Sequence, residues 1–228
     1  MHDPEQQAFL ETVVQTSRSR WRKLTTRSVL WRAQVGVEED DEEPRPFSPE
    51  RMRPLANRAK EGRANPQGIP YLYLASQRET AMKEVRPWIG SYISVAQFKM
   101  IRTLRVVNFV MPEDKPGASN PLDHMYFDEE PSPEKREQAV WSQIDLAFAR
   151  PVDRNDDTAD YAPTQILAEL FKSKGFDGIA YRSSLGKGYN IVLFDTEAAR
   201  LTNCFLFKAE SVEFEFNEVA NPYYVSAP

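Results

Sequence analysis

The chain has few of the residues on which metal sites and histidine-dependent catalysis rely. Its 228 residues include one cysteine, Cys204, and two histidines, His2 and His124. A single cysteine excludes a disulfide framework and a thiolate metal cluster. Two histidines argue against a zinc site and against Ser-His or Cys-His catalysis. We therefore expect no metal centre.

The sequence also lacks any apolar run near the ~18 residues that a membrane span needs, and its start lacks the basic-then-apolar pattern of a signal peptide. The net charge of -5 argues against a general nucleic-acid-binding or membrane-surface protein. We therefore expect a cytoplasmic protein that contacts neither nucleic acid nor membrane directly.

Charge is unevenly distributed near the start of the chain. Residues 12–37 contain six Lys or Arg and no acid, whereas residues 38–43 are all acidic. The preferred interpretation of the acidic run is a solvated loop that screens the basic segment, and a partner-binding patch is the alternative. The stretch 36–70 shows little regular pattern, and its length is typical of a lid or binding loop.

What the sequence does contain points to an α+β fold. Seventeen prolines, nine glycines and 11% aromatic residues indicate stiff connections rather than a helical bundle. Apolar stripes predict a helix at 3–16, one that opens at Ser132, and one that ends at Gly175 and buries Ile166. Alternating runs predict strands at 28–35, 71–75, 92–98, 103–110, 179–182, 190–194 and 212–216. No linker divides the chain, so we expect a single domain over residues 1–228.

The most informative segment, residues 62–85, joins a loop, a strand and a helix. In the strand at 71–75, alternation places Tyr73 on an aromatic, polar face opposite a core face. Ser76, with a glutamate three residues later, is the pattern of a capping box. It predicts a helix that carries Glu84 near its far end, so a carboxylate lies beside the tyrosine strand.

This segment resembles the RES domain family, which is named after its arginine, glutamate and serine. Three motifs in the family's order cover most of residues 28–195. They are Leu30-Trp31-Arg32-Ala33, the loop, strand and helix of residues 63–85, and Gly175 to Ser183 with Asn190 to Phe194. The family consists of toxins that destroy NAD and are paired with an antitoxin. The resemblance implies an ADP-ribosyltransferase-like fold, with central, mostly antiparallel split β-sheets flanked by helices, a core at 28–195 and a C-terminal extension at 196–228.

The resemblance also implies a site. Arg32, Tyr73 and Glu84 are implied to be catalytic and to lie in one cleft. NAD+ is implied to bind as substrate, without a separate cofactor, to Arg32, Arg63, Tyr73 and Ser183. NAD cleavage passes through an oxocarbenium-like transition state, so an enzyme must grip the pyrophosphate, supply a face for the nicotinamide and place negative charge near the cation. The implied residues have the side chains that this chemistry requires.

Structural alternatives stay open for each residue. Arg32 could form an ion pair with Glu84, Tyr73 could pack at an edge, and Glu84 could lie in solvent. An error of one position in the register would exchange Ser183 for Ser184. A nucleophilic Ser183 is not expected, because no histidine lies nearby in the sequence.

Three functions remain from the sequence. The preferred one is an NAD glycohydrolase toxin of a bacterial toxin–antitoxin system. An ADP-ribosyltransferase that modifies a macromolecule or a small acceptor shares every site residue and differs only in what attacks ribose C1′. A non-catalytic binding module is the third. A separately encoded antitoxin of the Xre helix-turn-helix type is implied only by the resemblance, and the sequence leaves homo-oligomerisation open.

Overall fold

The computed structural model describes residues 4–39, 43–55, 59–110, 132–150, 161–213 and 216. Within these ranges the chain forms four α-helices, one short 3-10 helix (Thr196–Ala198) and eight strands. The helices are α1 (Pro4–Ser17), α2 (Arg78–Glu84), α3 (Pro133–Ala149) and α4 (Ala162–Ser173). The strands are β1 (Trp21–Leu24), β2 (Val29–Val35), β3 (Leu72–Ala75), β4 (Tyr92–Met100), β5 (Leu104–Asn108), β6 (Gly178–Arg182), β7 (Tyr189–Leu193) and β8 (Ala199–Lys208). No helix in the described part is long and apolar enough to cross a membrane.

The strands form one sheet in the order β1-β5-β6-β7-β3-β2-β4-β8. Neighbouring strands are antiparallel except β5 and β6. β2 pairs with β4 along its whole length, but with β3 only where Trp31 lies opposite Ala75. The sheet is therefore split between β2 and β3 into a part of five strands and a part of three, here called its two halves. The predicted α+β class, with a mostly antiparallel split sheet flanked by helices, is confirmed.

Both faces of the half that contains β3 are covered. On one face, α3 and α4 pack against β5 and β6 through fully buried aromatic side chains: Phe109, Trp141, Phe148 and Phe171. On the other face, Phe47 and Met52 pack against β3 and β7. Each such side chain stabilises the fold by about 1.5–3 kcal/mol. The face predicted to be aromatic and polar, opposite the core face, is itself packed: Tyr71, directly before β3, is 3% exposed and belongs to the cluster formed with α3 and α4.

The stretch 36–70 is partly anchored by these contacts. Phe47 and Met52 fix its middle in the core. Glu38 accepts a hydrogen bond from the backbone N–H of Ser48 at 2.9 Å and forms an isolated bridge with Arg45. The first residue of the acidic run therefore closes the loop, whereas residues 40–42 lie outside the described ranges.

Helix boundaries follow the predicted signals in α3 and α4. The Ser132 hydroxyl accepts the Lys135 N–H at the start of α3, and Gly175 follows α4 with φ of +78°, a conformation that favours glycine. Ile166, predicted to be buried, is 55% exposed, because α4 turns Leu167 to the core instead.

The predicted capping box of α2 is wrong. The helix begins after Gln77, which makes no side-chain capping bond. Ser76 instead accepts a hydrogen bond from the backbone N–H of Tyr189 at 3.0 Å. A long-range contact to the sheet thus takes the hydroxyl that the local pattern assigns to the helix.

The sequence patterns do not predict the two edge strands, β1 and β8. β8 pairs with β4 along its length, so the sheet continues past residue 195, where the predicted core ends. The strand predicted at 212–216 does not form at 212 or 213, and residues 214 and 215 lie outside the described ranges. The division into a single domain stays a prediction.

Candidate functional site

Glu84 is the last residue of α2 and lies against the β6–β7 hairpin. The helix buries Thr80 and Ala81 and leaves Glu84 half-buried. Oε1 of Glu84 accepts two hydrogen bonds, from the Ser183 hydroxyl at 2.7 Å and from Nδ2 of Asn190 at 2.7 Å. No described residue donates to Oε2. The carboxylate is therefore fixed through one oxygen, and the other is available to a ligand.

The structure distinguishes the two adjacent serines. Ser183 follows the end of β6, donates to Glu84 and accepts the Leu185 N–H at 3.2 Å. Ser184 is exposed to solvent. Ser183 is therefore the serine that contacts Glu84.

Asn190 is a site residue that sequence reasoning did not single out. It is 6% exposed on β7 and pairs with Ala75 of β3 and Tyr181 of β6. A buried amide must be hydrogen-bonded, and here the acceptor is Glu84. The sequence contains one signal for this residue: the carboxamide Asn190 directly precedes the apolar run from Ile191 to Phe194.

Arg32 lies on β2 beside the split in the sheet. Its Nη1 donates to the main-chain oxygen of Tyr73 at 3.3 Å, which bridges the two halves. Its Nε is buried and has no hydrogen-bond partner in the described part of the chain. Burial lowers the pKa of Arg32, and the proximity of Tyr73 partly offsets this effect. The guanidinium nevertheless stays charged at neutral pH, so Arg32 is a partly exposed cation whose Nε is buried and makes no hydrogen bond within the described structure.

Tyr73 is held by the loop that precedes its strand. Its hydroxyl donates to Oδ1 of Asn65 at 2.7 Å and accepts the Ala64 N–H at 3.1 Å. A side chain at Gly62 would come within 2.7 Å of this hydroxyl, which explains the glycine there. Burial raises the pKa of Tyr73, so the phenol is neutral. The loop therefore satisfies the hydroxyl of Tyr73 both as donor and as acceptor.

Arg63 is engaged within the protein. Its Nη1 donates to the main-chain oxygen of Phe148, near the end of α3, at 2.8 Å. Tyr181 of β6 is a buried residue that sequence reasoning did not single out. Burial raises the pKa of Tyr181 to about 12, with Arg63 lowering it and Glu84 raising it further. Tyr181 therefore stays neutral at neutral pH.

The structure brings the predicted site residues together in two pairs, Arg32 with Tyr73 and Glu84 with Ser183. Arg63 instead donates to the main-chain oxygen of Phe148 and joins neither pair through a direct hydrogen bond among the described residues. Arg32 and Glu84 do not form an ion pair with each other. The positive and negative groups are thus kept apart, and each retains a polar atom that is not used within the described structure.

Comparison with known proteins finds one matching family. The RES domain model matches residues 29–216. The search of curated proteins gives no match. Among solved structures, the chain is similar to one in the crystal structure of the M. tuberculosis MbcT–MbcA toxin–antitoxin complex. That similarity has 14% identity and a TM-score of 0.48, and it covers 86% of this chain and 91% of that chain.

Replacing Tyr181 with Phe should make the protein less sensitive to alkali. The pKa of Tyr181 is near its ordinary value of about 10 in the unfolded chain and about 12 in the folded one. Between these values the unfolded state holds fewer protons, so stability is intact below about pH 10 and falls as pH rises toward the folded value.

The measurement is urea unfolding of both proteins at about pH 8 and about pH 11. Tyr181→Phe should lose about 1 kcal/mol less than the wild type between the two conditions. An identical loss in both proteins would show that Tyr181 is not the group responsible.

Proposed function

Because the chain belongs to the RES domain family, we propose that it cleaves NAD+ between ribose and nicotinamide and acts as the toxin of a bacterial toxin–antitoxin system. The observation that carries the proposal is the Glu84 carboxylate, which Ser183 and Asn190 hold through Oε1 while Oε2 stays available to a ligand. The proposed site of action is the cytoplasm. The proposed partner is a separately encoded antitoxin of the Xre helix-turn-helix type.

In the proposed reaction, the bond between ribose C1′ and the pyridinium nitrogen breaks, and its electron pair returns to the nicotinamide ring. Water adds to C1′ and loses a proton, which gives nicotinamide and ADP-ribose. The leaving group becomes neutral as it departs, so the chain does not need a general acid. What lowers the barrier is negative charge near the developing cation, and Oε2 of Glu84 supplies it.

We assign binding of the NAD+ pyrophosphate to the positive charge of Arg32. Arg32 is a charged side chain that is partly exposed beside the split in the sheet, although its Nε is buried. Its guanidinium suits the pyrophosphate, because a guanidinium binds phosphate through charge-assisted hydrogen bonds. The ring of Tyr73, carried by the strand whose main chain Arg32 contacts, is proposed to face the nicotinamide.

Glu84→Gln should keep the fold and lower NAD cleavage by on the order of 100-fold or more, since the amide keeps an oxygen for Ser183 and Asn190 but loses the charge. The measurement is nicotinamide release from NAD+ by the purified protein. Glu79→Gln is the matched control, because Glu79 is an exposed glutamate of the same helix. A folded Glu84→Gln protein with near wild-type turnover would remove Glu84 from the mechanism.

Arg32→Lys should raise KM for NAD+ by on the order of 10-fold, because an ammonium keeps the charge but not the planar fork that grips a pyrophosphate. Steady-state kinetics on the purified variant provide the test. Arg53→Lys is the control, since Arg53 forms a surface ion pair with Glu197 at 3.1 Å. An unchanged KM in Arg32→Lys would assign Arg32 a structural role only.

Expression of the chain alone in bacteria should lower cellular NAD and stop growth, whereas Glu84→Gln should do neither. The alternative, transfer of ADP-ribose to an acceptor, uses the same residues. It predicts growth arrest with NAD largely intact and a labelled NAD analogue attached to a specific target. Harmless expression of folded, NAD-inactive protein would contradict both enzymatic functions and favour a binding module.

A further inference from the structure

Asp145 is the one carboxylate in the described part of the chain that is fully buried. It lies on α3, between the core residues Trp141 and Phe148. A buried carboxylate costs several kcal/mol unless it is paired and hydrogen-bonded. Both of its partners come from Arg182: Oδ1 accepts the backbone N–H at 2.8 Å, and Oδ2 accepts Nε–H of the side chain.

The backbone N–H of Arg182 needs this partner because its strand, β6, extends beyond the end of the neighbouring strand, β5. β5 ends at Asn108, opposite Ala180, and the Phe109 N–H donates to the Ala180 carbonyl at 2.8 Å. Backbone groups two residues apart on a strand point to the same side, so the N–H of Arg182 faces the position where β5 has ended. The Asp145 carboxylate takes the place of the missing strand there.

The residue after Arg182 is Ser183, which donates to Glu84. The far end of the same turn is tied to α2, because the Thr80 hydroxyl donates to the Lys187 carbonyl and Ser76 accepts the Tyr189 N–H at 3.0 Å. The turn from β6 to β7 is thus attached to α2 at both ends and, at its start, to α3 as well. The attachment to α3 is the Asp145–Arg182 pair.

We propose that Asp145 is a positioning residue for the Glu84 site. Through Arg182 it fixes the start of the turn, so that the Ser183 hydroxyl stays on Oε1 of Glu84. The effect on catalysis rests on the proposed function, whereas the effect on the turn does not. Asp145 itself lies inside the core and contacts no substrate.

The first test is independent of activity. Asp145→Asn keeps an acceptor for the Arg182 N–H but loses the charge that holds the guanidinium. Amide hydrogen exchange of Leu185, whose N–H is bonded to the Ser183 hydroxyl, should become at least several-fold faster, while amides of β3 and β4 stay protected. Unchanged exchange at Leu185 would overturn the proposal even if the wild type cleaves no NAD.

The second test is a double-mutant cycle with Ser183→Ala. Asp145→Asn should lower kcat for NAD cleavage by on the order of 10-fold with little change in KM, and it should have almost no further effect in the Ser183→Ala background. Equal losses in both backgrounds would mean that Asp145 acts on the protein as a whole, which would contradict the proposal. An inactive wild type would instead defeat the proposed function and leave the exchange experiment to decide.

Two further variants complete the design. Glu137→Gln is the control for loss of an ion pair on α3, because Glu137 pairs with Arg20 at 3.4 Å, away from the turn. It should change neither exchange at Leu185 nor kcat.

If Asp145→Asn fails to fold, Arg182→Lys replaces it, since this side chain is 42% exposed and keeps its charge. Arg182→Lys should show the same two effects to a smaller extent, and their absence would contradict the proposal.

Discussion

The site depends on one attachment, the pair of hydrogen bonds through which the β6–β7 hairpin holds Glu84. α2 is seven residues long, too short to be stable by itself, so its position comes from tertiary contacts. Ala81 packs against Ala33 and Val95, and the turn rests on Thr80 and Ser76. A glycine is required at position 188, where the turn meets Ser76, because a side chain there would come within 2.6 Å of the Ser76 hydroxyl.

The split in the sheet separates the charges of the site. Arg32 lies at the border of one half, and Glu84 is fixed by strands of the other. If the two formed an ion pair, each would satisfy the other and neither would attract a ligand. In the proposed function, NAD+ carries an anionic pyrophosphate and a cationic nicotinamide, and a site whose guanidinium and carboxylate do not pair with each other matches these two charges.

Local periodicity was sufficient to predict most of this fold, but not the partners of its polar groups. α3, α4 and the central strands follow apolar patterns, and the resemblance indicated Glu84 and Ser183 as site residues. Asn190 contacts Glu84 across a long stretch of chain, so no local pattern signals this contact. Ser76 was misassigned for the same reason, since a strand N–H outcompeted the helix for its hydroxyl. β8 does not show the alternation that predicts a strand, because Cys204 to Phe207 are all apolar and its pairing with β4 shifts register between Gln97 and Phe98.

The central claim is that Arg32 binds the anionic pyrophosphate of NAD+ and that Glu84 lies beside its cationic nicotinamide. It is tested most directly by calorimetric titration with an NAD+ analogue whose glycosidic bond cannot be cleaved. The account predicts that the wild type binds the analogue, that Arg32→Ala weakens binding of both the analogue and ADP-ribose, and that Glu84→Gln weakens binding of the cationic analogue only. Equal affinities of all three proteins for the analogue, or no binding by the wild type, would contradict the account.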